Sequence, residues 1–234
     1  MSQIEEIYEP ETTDFLIRTL KDGDNVIIAG AHRGYFASLA SSLVGRGIVY
    51  AFEPEKENFK ILKETVKGKR NVKLFNLALG DKECTAKFFI NDDDNGGHAL
   101  WDISMNLNNL KTRESQKVTN VEVRKLDDIF EEEALKLILL DVEGSELSAL
   151  KGAINTIVDL EVPHIICEVN NFALEKCGTS QILLRSFMKT YGYKEYSLDG
   201  KPFNVSIKQE LFAYDNENKE VVFNMLFSRD IIDG

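Results

Sequence analysis

The sequence has little of what usually marks a metal cage, a secreted scaffold or a nucleic-acid partner. Its three cysteines, Cys84, Cys167 and Cys177, show neither metal-ligand spacing nor a disulfide framework, so a reducing compartment is expected. Positive charge is in deficit, with 28 Lys and Arg against 39 Asp and Glu and a net charge of -11. Affinity for a phosphate backbone comes from clustered Lys and Arg that release counterions, so no nucleic-acid partner is expected. The basic cluster Lys63, Lys67, Lys69 and Arg70 falls at helical spacing and reads as a solvated face. No apolar stretch at the acidic N-terminus, MSQIEEIYEPETTDF, reaches signal-peptide or spanning length, which predicts a cytoplasmic protein with no membrane association. Nothing in the sequence marks an oligomeric state.

What is present suffices for a sizeable core, since 43% of residues are hydrophobic and 29% charged. No segment reads as a linker, so residues 1–234 are expected to form one domain. Thr13 to Lys21 has Phe15, Leu16 and Leu20 near helical spacing and predicts a lid or edge helix within residues 1–22. Asn25 to Gly30 is a nearly continuous apolar run, the pattern of a strand buried on both faces. A helix over Tyr35 to Val44, a strand over Gly47 to Glu53 ended by Pro54, a helix over Glu55 to Lys67 and a strand over Val72 to Leu79 follow. This is β-α-β-α-β, half of a doubly wound sheet.

Over residues 81–126 the alternation fails. Cys84 to Ile90 and Val118 to Arg124 predict an inserted β-pair, joined by a long polar lid loop, Asp92 to Gln116, that carries His98 and Trp101. It resumes with strands at Leu135 to Asp141 and His164 to Glu168, and helices at Ser145 to Leu160 and Ser180 to Tyr191. Lys194 to Leu198 and Val221 to Phe227 then read as strands with no helix between them. The expected class is α/β: a doubly wound Rossmann-like sheet, mostly parallel, with an antiparallel C-terminal strand.

In such sheets ligands bind beyond the carboxyl ends of the strands. Glycines in the turn Gly30-Ala31-His32-Arg33-Gly34 let backbone approach a ligand and open a helix N-terminus to it, although a tight structural turn accounts for this segment equally well. His32 fills the middle position of the dinucleotide fingerprint, which speaks against a nicotinamide cofactor. Glu53, after the apolar run Ile48 to Phe52, is placed to accept hydrogen bonds from a ribose diol. Asp141 and Glu168, each after a buried run, should face the same crevice, whereas Glu146 reads as a helix-start acid.

The ordered set GAHRGYFASLA, VYAFEPEKENF, NLALGD, KLDDIF, LILLDVEGSELSALKGA and IICEVN, over Val26 to Asn170, resembles the FkbM family of methyltransferases. The resemblance implies S-adenosylmethionine as donor and a small molecule or sugar with a hydroxyl as acceptor. It implies a cofactor site at Gly30, Ala31, His32, Gly34, Glu53, Pro54, Ala78 and Asp141; a hydroxyl acceptor must also lose its proton, for which Asp141, Glu168 and His98 are the candidate bases. Asp141, Glu168 and Asn170 also resemble the acid-acid-amide set that binds Mg2+ or Mn2+ in metal-dependent O-methyltransferases. One departure stands out: Ile28 occupies the place of an acid that normally helps hold the donor's methionine part. Two other readings use the same residues, a non-catalytic Rossmann-like binding domain and a nicotinamide-dependent oxidoreductase.

Overall fold

The computed structural model describes residues 7–93, 96–106, 108–203 and 222–230. The main sheet has seven strands in the order β3-β2-β1-β7-β8-β10-β9. They are β1 (Val26–Ala29), β2 (Val49–Phe52), β3 (Val72–Phe75), β7 (Leu137–Leu140), β8 (His164–Asn170), β9 (Lys194–Tyr196) and β10 (Val222–Ser228). From β3 to β8 neighbours run parallel; β10 pairs antiparallel with both β8 and β9. Every residue of VIIA, VYAF and LILL is buried, because helices cover both faces of these strands. Alternate side chains divide between two apolar layers: Ile27, Ala29, Tyr50, Phe52, Ile138 and Leu140 lie in one, and Val26, Ile28, Val49, Ala51, Leu137 and Leu139 in the other.

The helices are α1 (Pro10–Thr19), α2 (Tyr35–Val44), α3 (Lys56–Thr65), α4 (Leu110–Glu114), α5 (Glu146–Lys151), α6 (Ile154–Asp159), α7 (Asn171–Lys176) and α8 (Gln181–Thr190). Caps explain several starts. Glu55 accepts the Asn58 N–H at the head of α3, and Ser180 accepts the Leu183 N–H at the head of α8.

Three expectations change. The strand expected over Val72 to Leu79 is split: Asn76 Nδ2 donates to the carbonyls of Glu53 (2.8 Å) and Pro54 (3.1 Å). The chain turns there, and β4 (Ala78–Leu79) joins a second sheet of order β4-β6-β5 with β5 (Cys84–Ile90) and β6 (Lys117–Arg124). The expected pair is thus three-stranded. The helix expected over Ser145 to Leu160 is broken into α5 and α6, because Gly152 crosses Gly80 so closely that an added Cβ would lie 1.9 Å from the Gly80 oxygen. Asp127 fills the break: its N–H donates to the Gly152 carbonyl (3.0 Å), and its carboxylate accepts from Asn155 and Thr156 (3.1 and 2.8 Å). Helix α7 was not expected; Asn170 caps it through Oδ1, which accepts the Ala173 N–H at 3.0 Å.

The Asp92–Gln116 loop carries α4 and a short helical turn at Ile103–Met105. Asp93 accepts the N–H groups of Lys111 and Thr112 (both 2.9 Å), and Ala99, Trp101 and Ile103 pack with Ala173. Its described part is fastened to the fold. Residue 221 of the last expected strand, and most of the stretch between β9 and β10, lie outside the described residues.

Candidate active site

A cavity of about 320 Å³ opens over the carboxyl ends of β1, β2 and β7. Gly30, Ala31, His32, Glu53, Pro54, Ala78, His98 and Asp141 all line it. Glu53 organises one end. Its two oxygens accept the N–H of His32 (2.7 Å) and of Glu55 (2.8 Å), tying the strand end to the glycine turn. Burial pushes its carboxyl up to about 7, against the pull of those two N–H groups. His32 holds a left-handed φ of 49°, which bends the turn around this carboxylate.

Gly30 earns its place differently from the expectation. Its φ is +77°, and an added Cβ would sit 1.7 Å from the Asp141 carbonyl oxygen, so backbone packing between β1 and β7 already requires glycine. Gly34 lies off the cavity: it packs on Leu62 and Thr65 of α3, where a Cβ would meet Leu62 Cδ1 at 2.7 Å. Ile28 is buried in the layer that holds Ala37 and Ala40 of α2, so position 28 points away from the cavity.

Around Asp141 the cavity becomes acidic. Oxygens of Asp141, Glu143 and Glu168 lie within 4.8 Å of one another. Burial, followed by the negative charges of Asp141, Glu143, Glu146 and Glu9, holds the Glu168 carboxyl well above the usual carboxylate range. Asn170, expected as the third metal-ligand candidate, has its oxygen committed to the α7 cap, and Glu143 takes its place beside the two acids. Glu146 Oε1 accepts the N–H groups of Val142 (3.3 Å) and Gly144 (3.1 Å), and burial raises its carboxyl to about 7.

His98 reaches the cavity from the lid loop, but its Nδ1 accepts the Asn91 N–H at 2.9 Å. With Nδ1 engaged by the backbone in this way, that nitrogen is not the one that would take a proton from an acceptor. Residues that the sequence reading missed complete the wall: Tyr8, Tyr35 and Phe36 form an aromatic group with centroids 5.2–5.7 Å apart. Leu79, Phe88 and Leu100 add apolar surface. Glu143 was legible in DVEGSEL; Tyr8 carried no signal.

The architecture has solved counterparts. One is a Streptococcus mutans protein described as a methyltransferase, in complex with SAH, at 14% identity over 95% of this chain and 99% of that one, TM-score 0.51. A protein described as an rRNA methylase from Clostridium thermocellum is 12% identical over 97% and 99%, TM-score 0.51. The precorrin-6y C5,15-methyltransferase of Geobacter metallireducens is 15% identical over 98% and 94%, TM-score 0.50. At these identities the likeness concerns the fold. The curated proteins hold no match to the chain.

The fold and the strand-end cavity are those of a Rossmann-like protein with the architecture of these solved methyltransferases. Residues 29–195 match the Methyltransferase FkbM domain, more than half of the sequence. The chain therefore belongs to the FkbM methyltransferase family.

Proposed function

We propose that the protein transfers a methyl group from S-adenosylmethionine to a hydroxyl of a small molecule or sugar, with residues 1–234 acting as one unit. The observation that carries the reading is Glu53: a buried carboxylate at the end of β2, held beside the glycine turn and facing the same cavity as Asp141. Its remaining acceptor capacity suits a ribose diol, with Pro54, Ala78 and Leu79 as the neighbouring wall for the adenine. Position 28 packs into the core, so the missing acid does not strip the cavity of a donor-binding group.

Methyl transfer from a sulfonium is an in-line displacement, and the orientation of acceptor oxygen, methyl carbon and sulfur can contribute roughly 7–11 kcal/mol. A hydroxyl acceptor also gives up its proton, and we assign that role to the carboxylates that line the cavity, Asp141 and Glu143, with Glu168 behind them. The acidic wall and the net charge of -11 favour a small acceptor over an RNA phosphate backbone, although one fold relative is described as an rRNA methylase. Calorimetry tests the reading: S-adenosylhomocysteine should bind one per chain and NAD should not. NAD binding in its place would turn the assignment to an oxidoreductase, and silence with both would leave a non-catalytic binding domain. Label transfer from S-adenosylmethionine to hydroxylated metabolites, with RNA as a parallel acceptor, tests the acceptor class.

A further inference from the structure

The three carboxylates converge from separate elements. Asp141 follows β7, Glu143 sits in the turn before α5 with a left-handed φ of 49°, and Glu168 lies within β8. The turn is locked on three sides. Trp101 Nε1 donates to the Glu143 carbonyl at 2.9 Å, Glu146 accepts the Gly144 N–H, and Gly144 packs so closely on Ala173 that an added Cβ would lie 2.5 Å from its carbonyl. A different observation points to a ligand: Glu168 Oε2 is sealed from solvent and has no hydrogen-bond partner among the described residues. A buried carboxylate oxygen without a donor is costly unless a cation meets it.

Charge decides which cation. Once a cation displaces the proton from Glu168, three carboxylates whose oxygens lie within 4.8 Å of one another carry three negative charges. An organic ammonium would offset one charge and leave two; a divalent ion offsets two. Oxygen-only ligands of this kind select hard cations. We propose that Asp141, Glu143 and Glu168 bind one divalent hard cation of the Mg2+ or Mn2+ type. The ligand set differs from an acid-acid-amide arrangement because the Asn170 oxygen serves the α7 cap. When bound, the ion would lower the pKa of an acceptor hydroxyl next to the donor site. The function of the ion rests on the methyltransferase reading, but its binding does not.

The test titrates Mn2+ into the donor-free protein and follows the free-ion electron paramagnetic resonance signal, with Mg2+ as competitor. One Mn2+ per chain is expected, with affinity lowered at least tenfold by Glu143→Gln and by Glu168→Gln, and unchanged by Glu122→Gln on the exposed side of β6. Circular dichroism checks that each variant is folded; the wild-type titration needs no variant. Absence of stoichiometric Mn2+ binding at millimolar ion overturns the proposal, as does binding that Glu143→Gln leaves unchanged. Titrations of the same samples with S-adenosylhomocysteine and 5′-methylthioadenosine separate the other possibilities. If no Mn2+ binds and Glu168→Gln weakens only the ligand that has an amino-acid part, the cluster holds the donor's ammonium instead. If neither nucleoside binds while Mn2+ does, the methyltransferase reading fails and the cation site stands.

Discussion

Replacing Glu53 with Gln should separate stability from binding. In the free protein the carboxyl is pushed from 4.5 to about 7, mainly by burial. Ionising it in the folded state at pH 8 is therefore unfavourable by about 3 kcal/mol relative to the unfolded chain. Glutamine removes that charge but accepts through one oxygen only, so one of the His32 and Glu55 N–H groups loses its partner, at about 1–3 kcal/mol. The two terms nearly cancel, and the variant should melt close to wild type at pH 8. Binding behaves differently, because a charged hydrogen bond to the ribose contributes about 1.5–3 kcal/mol, so loss of one such bond should lower S-adenosylhomocysteine affinity by a factor on the order of 10–150. The pH dependence has a definite sign. A raised carboxyl adds stability below pH 4.5 that is lost as pH rises through about 7, so free wild type should gain stability between pH 8 and 5 while Glu53→Gln lacks this component. Wild-type affinity should weaken below pH 7 by at most about tenfold per unit. Calorimetry at pH 6, 7 and 8, with thermal melts of both proteins, makes the comparison. A folded Glu53→Gln that binds S-adenosylhomocysteine as wild type does would refute the reasoning.

Other substitutions address other parts of the molecule. Gly30→Ala should destabilise the fold by at least about 2 kcal/mol, because the methyl strikes the Asp141 carbonyl and φ is +77°; an unshifted melt would contradict the close approach of β1 and β7. Asp141→Asn should leave S-adenosylhomocysteine affinity nearly intact and reduce label transfer to a hydroxyl acceptor by about 100-fold or more; equal turnover would remove Asp141 from the chemistry. His164, buried beside Ser228 with its pKa lowered to about 4 chiefly by burial, gives the opposite pH response to Glu53. The unfolded chain takes up its proton as pH falls through 6.5 and the folded protein only near 4, so this stability is complete above 6.5 and lost between. Melts of His164→Gln should show less loss than wild type from pH 7 to 5, and parallel curves would rule the histidine out.

Much of this protein is determined by sequence alone, for a local reason. Uninterrupted apolar runs such as VIIA, VYAF and LILL specify strands buried on both faces, and such strands alternating with amphipathic helices allow few arrangements besides a doubly wound sheet. That arrangement fixes where strand-end residues lie, so Glu53 and Asp141 were legible as lining one cavity, with Glu168 beside Asp141. Tertiary structure decided whatever depends on contacts between distant segments. Gly152 breaks a helical pattern because it crosses Gly80, and Asn76 ends β3 by binding the carbonyls of Glu53 and Pro54. Asn170 is committed to the start of α7, Glu143 takes its place in the acidic group through a left-handed turn, and Tyr8 joins the wall from the far N-terminal side. None of these has a periodicity to read, because each depends on which backbone or side chain arrives opposite once the sheet has formed.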